Sequence, residues 1–226
     1  MLDARLSLAA ELYEPCDWGA DIGTDHAYLP CYLLRTNTCR HMIAADVSEK
    51  ALARARENLT RQQLMDRADV VLADGLDAVT RPCGCISVMG MGGELMGRIL
   101  RKGRDRLQGA VLVLGAHTEL NLVREAIRDV GYHIVQERLC KAAGRFYVFW
   151  RAEAGMEDLS AMDIRYGGLL WQEDSSMLRE YAAWRRRVLQ DKERGLLAAS
   201  ARDEDAIREV QADIAWYTKK LEELTC

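Results

Sequence analysis

The chain has little that would mark it for a membrane, a metal or indiscriminate binding to polyanions. No apolar run approaches the ~20 residues that span a bilayer, so no transmembrane helix is expected. Basic residues are not in excess: 31 Lys and Arg stand against 35 Asp and Glu, a formal net charge of −4. That balance argues against wholesale nucleic-acid binding and leaves room only for a local basic groove. Histidine is sparse and does not cluster with cysteine, whose only close pair is Cys83-Gly-Cys85. A tetrahedral site needs more ligands than that, so no metal is expected. The seven cysteines are scattered and odd in number, and the first residues, Met-Leu-Asp-Ala-Arg, lack the basic-then-apolar form of a signal peptide. Reduced thiols and a cytoplasmic location are therefore expected. What is present, 49% hydrophobic and 29% charged over 226 residues, reads as a globular chain with one full α/β domain and a smaller appendage.

Over the first two thirds, apolar runs of strand length alternate with helical patterns. An amphipathic helix in 2–14 precedes a strand through Trp18, Ala20 and Ile22. Strands at 42–45, 69–73, 86–89 and 110–114 alternate with helices at 48–64, 93–102 and 119–130. Two β-type runs, 133–139 and 145–151, are then separated only by Cys140-Lys-Ala-Ala-Gly144. So short a link permits a hairpin and forbids a parallel crossover. Five βα units closed by an antiparallel hairpin predict an α/β fold with a class I, Rossmann-like methyltransferase sheet. Past Gly155 the composition turns to helix formers. Met177, Tyr181, Trp184 and Val188 in one stretch, and Ile207, Val210, Ile214, Tyr217, Leu221 and Leu224 in the next, step by three and four. With Ser200 or Asp203 as N-cap, they predict a C-terminal antiparallel helical hairpin of coiled-coil type. The expected domains are 1–155 and 156–226.

Ligands of open α/β sheets sit beyond the carboxyl ends of the strands, and those ends carry the chemistry here. Asp21-Ile-Gly-Thr-Asp-His-Ala-Tyr-Leu-Pro30 offers Asp21, Gly23, Asp25 and His26 at the end of the first strand. The second ends in Asp46, placed to accept from both hydroxyls of a ribose. The third ends in Asp74-Gly75, which can hold an adenine edge through carboxylate and backbone N–H. The fourth ends in Gly90-Met-Gly-Gly93, a bare backbone lip for the acceptor. A lone Asp after a strand is more often a cap or turn former than a ligand, but four such positions on successive strands point together to a nucleotide. NAD(P) is disfavoured, because Asp25 and Tyr28 occupy the second and third glycine positions of G-x-G-x-x-G. A carboxylate there repels pyrophosphate and welcomes a sulfonium, so S-adenosylmethionine is the expected cofactor. The glycine lip offers no side-chain acceptor for an amine proton. It suits a ring nitrogen, whose lone pair attacks without a base.

These residues resemble the bacterial tRNA adenine-22 N1-methyltransferases, the TrmK family. The resemblance rests on the decapeptide 21–30, on Ala73-Asp-Gly-Leu76, on Met89-Gly-Met-Gly-Gly-Glu-Leu95, on Arg124 through Glu137, on Gly144-Arg-Phe-Tyr147 and on Arg165-Tyr-Gly-Gly-Leu-Leu170. It implies cofactor contacts from Asp21, Gly23, Asp25, His26, Asp46, Asp74 and Gly75, with Met91, Gly92 and Gly93 beside the transferred methyl. It also implies tRNA as partner, held in part by the C-terminal helices. The chain departs from the family pattern at Gly115-Ala116 (usually Gln-Pro), at Val148 (commonly Glu) and at Gly168 (commonly Pro). Asp25 or His26 is the candidate for assisting chemistry or placing the acceptor. Arg98, Arg101 and Lys102 (with Arg104 and Arg106) and Arg185, Arg186 and Arg187 are candidates for phosphate contacts. The target adenine has to leave its stack, and Tyr28 or Tyr147 can receive it. A monomer or weak dimer is expected. The rival readings are a methyltransferase of the same fold acting on a small molecule or protein, and a catalytically inactive RNA-binding relative.

Overall fold

The computed structural model describes residues 2–156, 158–172 and 175–224. The strands are β1 (Cys16–Ile22), β2 (Cys39–Asp46), β3 (Ala68–Leu72), β4 (Cys85–Met89), β5 (Val111–Ala116), β6 (Tyr132–Ala142) and β7 (Arg145–Ala154). They form one sheet in the order β3-β2-β1-β4-β5-β7-β6. The pairs among β1 to β5 are parallel, while β7 runs antiparallel to both β5 and β6, so the terminal hairpin lies where the short link requires it. Strand order reverses between β1 and β4, whose Ile22 and Val88 are register partners. The crevice above that pair is where an open sheet takes its ligand.

Helices α1 (Ala4–Glu11), α2 (Tyr28–Arg35) and α3 (Glu49–Arg61) pack into one core with the sheet, burying Leu8, Leu12, Leu33 and Leu59 with Met42, Val113 and Phe149. Asp3 caps α1 by accepting from the Leu6 N–H, and Ser48 caps α3 by accepting from Ala51. These are the short polar side chains that satisfy orphan amides at helix starts. Helices α4 (Gly93–Lys102) and α6 (Leu120–Asp129), on either side of the single turn α5 (Arg104–Leu107), bury Met96, Leu100, Val123 and Ile127. The six described cysteines are free thiols. Cys16 Sγ lies 3.3 Å from Cys39 Sγ, a hydrogen bond that, with burial, pushes the Cys16 thiol up to about 12 and keeps it protonated.

The chain divides into compact units Met1–Leu170 and Trp171–Cys226. A buried ion pair ties Ile164 and Leu170 to the first of them. Glu137 on β6 accepts from Arg124 Nε of α6 at 2.7 Å, from Trp150 Nε1 at 2.7 Å and from the Leu170 N–H at 3.0 Å. Arg124 Nη1 donates to the Ile164 carbonyl at 3.2 Å, on α7 (Ala161–Tyr166). Residues up to 170 are thus tied to the sheet although their composition is that of the helical appendage. Gly167, at φ 88, leaves the space this needs: a Cβ there would lie 2.7 Å from both Arg124 and Glu137.

In the second unit, α8 (Ser175–Ala198) and α9 (Glu204–Glu223) pack antiparallel, with Arg179 bonded to the Leu224 carbonyl and Gln211 Nε2 donating to Glu193 at 2.8 Å. Asp203 is the N-cap of α9. On α9 the predicted stripe is buried at Ile207, Val210 and Tyr217. On α8 the period was legible but the phase was not. Leu178, Tyr181, Ala182 and Leu189 are buried, whereas Met177 and Val188 are exposed. Trp184 is only half-buried and lies beside Tyr181, 5.9 Å between ring centroids.

Candidate active site

At the end of β1 the chain turns sharply. Gly23 takes φ 83 and, with Thr24, donates to the Ala45 carbonyl of β2 at 2.8 and 3.0 Å. A Cβ on Gly23 would sit 3.0 Å from Met91 Cε and 3.4 Å from the Met89 carbonyl, in a conformation that L side chains rarely adopt. Asp25 and His26 follow, and Ala27, at φ 51, opens α2. Two residues of α3 that strand-end reasoning missed hold this turn. Buried Asn58 donates to the His26 carbonyl at 2.7 Å, and Arg54 pairs with Asp25. An asparagine on the apolar face of a helix was the available signal, since that face rarely spends a polar side chain without purpose. His26 Nε2 lies 3.4 Å from Asp25 Oδ2, and its ring stacks on Tyr28 at 5.1 Å.

Asp21 closes a buried polar chain. Tyr13 Oη donates to Ser87 Oγ at 2.7 Å, and Ser87 Oγ donates in turn to Asp21 Oδ1 at 2.6 Å. Burial pushes the Asp21 carboxyl above its usual range, hydrogen bonds from Ser87 and Thr24 pull it back, and the charge of Asp46 adds to the rise.

Above these residues opens a cavity of about 420 Å³. Asp21, Gly23, Thr24, Asp25 and His26 line one side, Met89 and Gly90 the lip, and Arg5, His117, Tyr147 and Phe149 the other side, with Tyr28 also on the wall. The cavity unites Asp21, Gly23, Asp25, His26, Tyr28 and Tyr147 of the sequence candidates. Asp46 stands beside the turn and accepts from the Ser48 N–H through Oδ1 at 2.7 Å, a turn-forming bond, and Oδ2 has no hydrogen bond among the described residues. Asp74 and Gly75 line a separate small pocket with Arg98 and Lys102. There Lys102 Nζ binds Asp74 at 2.8 Å and Asp77 at 3.1 Å, holding Asp74 below the usual carboxylate range.

The glycines of the lip have different surroundings. Gly92 and Gly93 do not line the cavity; they let the loop after β5 close against α4. The Gly93 N–H donates to the Thr118 carbonyl at 3.2 Å, and a Cβ on Gly93 would fall 2.2 Å from the Glu119 carbonyl oxygen. Gly90, at φ 77 with open space around it, is the lip residue facing the cavity. Met91 is likewise outside its lining.

Of the basic candidates, Arg101 is bound to Asp129 at 2.9 Å and Lys102 to Asp74 and Asp77. Arg185 lies over the Tyr217 ring at 5.7 Å, inside its own helical hairpin. Arg98 and Arg187 are exposed and Arg186 half-exposed. Each departure from the family pattern is tightly packed where it stands. A side chain at Gly115 would meet Phe149 at 2.6 Å, Val148 is buried opposite Ala116, and a Cβ on Gly168 would meet Asp163 at 2.7 Å.

A seven-stranded sheet of this order, with an acidic glycine turn at its switch point, defines an α/β, Rossmann-like methyltransferase. Residues 19–218 match the family described as TrmK, tRNA (adenine(22)-N(1))-methyltransferase. The Bacillus subtilis tRNA (adenine(22)-N(1))-methyltransferase is 31% identical over 159 residues, 70% of this chain and 67% of that protein. A Streptococcus pneumoniae protein solved in complex with S-adenosyl-L-methionine is 30% identical, with TM-score 0.87 over 98% of this chain and 100% of that one. TrmK of M. capricolum, in complex with S-adenosyl-homocysteine, shares the fold at 23% identity, TM-score 0.85 and 98% coverage of both chains. The chain belongs to the TrmK family of tRNA (adenine(22)-N(1))-methyltransferases. It is an S-adenosylmethionine-dependent enzyme that methylates N1 of adenine 22 in tRNA.

Proposed function

We propose that the cavity at the β1–β4 switch point holds both reactants, the cofactor along the β1 side and the acceptor adenine against Tyr147. The observation that carries this reading is that one cavity joins Asp21, Gly23, Asp25 and His26 to Tyr28 and Tyr147. The residues fit the cofactor: Gly23 lacks the Cβ that would fill its cradle, carboxylates suit a cation, and Asp46 has an oxygen to spare for a ribose. When bound, S-adenosylmethionine supplies an electrophilic methyl on a sulfonium. Asp25 and His26 shape the wall where that charge lies, with Arg54 fixing the Asp25 carboxylate. Asp74 and Gly75 serve the far, adenine end only if Lys102 gives up its hold on Asp74. Tyr28 and Tyr147 offer rings on which an extruded base stacks. Arg98, Arg186 and Arg187 supply phosphate contacts, while Arg101, Lys102 and Arg185 act mainly within the protein. The enzyme works as a monomer or weak dimer in the cytoplasm, where its tRNA is.

The test is incubation of the protein with methyl-labelled cofactor and unmodified tRNA, followed by nucleoside analysis and mapping of the modified position. 1-Methyladenosine at position 22 is expected. RNA binding without turnover would instead favour an inactive relative.

Asp21→Asn gives a second expected outcome. Because burial raises the Asp21 carboxyl above 3.8, the folded state binds its proton more tightly than the unfolded state does. Native stability therefore declines as pH climbs from about 3.8 through the folded-state value. Asp21→Asn removes that decline, so it should melt at or above the wild-type temperature at neutral pH and yet bind S-adenosylhomocysteine more weakly. Melting curves across pH, with and without that ligand, check both halves.

A further inference from the structure

We propose that His117 reads the acceptor base, accepting a hydrogen bond from the exocyclic N6 amine of adenine. This deepens the assignment of the cavity's acceptor side and rests on it. The polar groups around the cavity are largely spent on one another. Arg5 is bound to Asp3 through Nη2 at 2.6 Å and Nε at 3.2 Å, and its guanidinium covers the Tyr147 ring at 5.2 Å. Asp21 is held by Ser87, and Asp25 by Arg54. His117 is different. It is half-buried in the wall, its ring is tilted against Tyr147 at 5.3 Å and 54°, and it has no hydrogen bond or ion pair among the described residues.

The backbone on either side of His117 is anchored. Ala116 before it is the register partner of Val148 in β7, and Thr118 after it accepts from the Gly93 N–H. A purine resting on Tyr147 thus shares its wall with an uncommitted nitrogen acceptor on anchored backbone. A neutral imidazole offers one such acceptor, its other nitrogen being a donor.

The chemistry gives that acceptor a role beyond binding. The N1 lone pair of adenine forms the new N–C bond as the C–S bond breaks, and the electron pair of that bond stays on sulfur. No proton moves in the step, and the purine ring takes up the positive charge. As it does, the N6 amine becomes a stronger donor, so its bond to His117 tightens toward the transition state. Interactions that strengthen in that way raise kcat rather than merely lowering KM. Guanine presents a carbonyl at the same place and so lacks the donor that this contact uses.

The experiment compares wild type, His117→Ala and His117→Gln on two full-length tRNA transcripts, one with adenosine and one with purine riboside at position 22. Purine riboside keeps N1 and lacks the amine. On the adenosine transcript, His117→Ala should lose on the order of a hundredfold in kcat, the scale of removing one transition-state hydrogen bond. Affinity for S-adenosylhomocysteine, measured by calorimetry, should be unchanged. His117→Gln, which keeps an acceptor, should recover much of the rate. On the purine transcript, wild type and His117→Ala should be alike. An equal loss on both transcripts would assign His117 a purely structural part and overturn the proposal, as would full activity of His117→Ala on adenosine. A wild-type enzyme that methylates neither transcript nor cellular tRNA would overturn the acceptor site itself.

Discussion

Glu137→Ala should destabilise the first unit by about 3–5 kcal/mol, the cost of leaving one partner of a buried ion pair uncompensated. Both side chains of the Arg124–Glu137 pair are 1% exposed, so solvent cannot replace what is lost. The carboxylate accepts from Arg124, from the Trp150 indole and from the Leu170 backbone, and each donor would be stranded. Removing both charges is another matter. Arg124→Met combined with Glu137→Leu deletes two desolvation penalties with the one attraction, and such replacements are often near neutral. Urea unfolding of the two single variants and the double one should therefore show strong coupling, the double falling well short of the sum. Hydrogen exchange adds a local readout, with the Leu170 amide losing protection in Glu137→Ala while β1 to β4 keep theirs. Near-wild-type stability of Glu137→Ala would mean that the pair does not anchor residues 160–170.

Much of this architecture was legible because it depends on local rules. Strand spacing and a link no longer than Cys140–Gly144 called for the β6–β7 hairpin, which separates this sheet from a plain dinucleotide-binding one; Cys140, Lys141 and Ala142 extend β6, so the turn itself is only Ala143-Gly144. Gly23, Asp25 and His26 were visible because a positive-φ turn at the end of a central strand has to announce itself in residue type. What stayed hidden depends on contacts far apart in the chain. Nothing local to Arg54 or Asn58 says that each reaches about thirty positions back to hold the Asp25–His26 turn. Arg101 and Lys102 read as free cations because Asp129, Asp74 and Asp77 are distant in sequence and near in space. The tether at Leu170 was hidden for the same reason: composition changes near 155, but the carboxylate that holds Leu170 lies on β6. Arg5 and His117 come to the cavity from outside the set of strand ends that was read for ligands, one from α1 and one from the loop after β5.

Gly93→Ala should be the most damaging single-methyl change near the active site. The added Cβ would lie 2.2 Å from the Glu119 carbonyl oxygen and 2.9 Å from that of Thr118. Both are backbone atoms, which cannot swing aside as a flexible side chain can. Either α4 or the loop after β5 has to move, and overpacking of this kind typically costs about 1–3 kcal/mol. That loop carries His117, and Thr118 accepts from the very amide being displaced. A shift there of only ~1 Å can cost on the order of a hundredfold in rate. Gly90→Ala separates the two roles of the lip. Its Cβ meets nothing within 4 Å, but Gly90 has φ 77 and lines the cavity itself. That variant should bear the moderate strain of a left-handed alanine, about 1–3 kcal/mol, and lose affinity for S-adenosylhomocysteine. Gly93→Ala should lose turnover on tRNA while keeping more of that affinity. Thermal melts, ligand calorimetry and single-turnover methylation on the two variants give the pattern directly. If Gly93→Ala melts and turns over like wild type, the tight packing of α4 against residues 118–119 is wrong. If instead the two variants lose ligand affinity equally, Gly93 belongs to the cofactor site after all, and the lip is the bare edge that its residues first suggested.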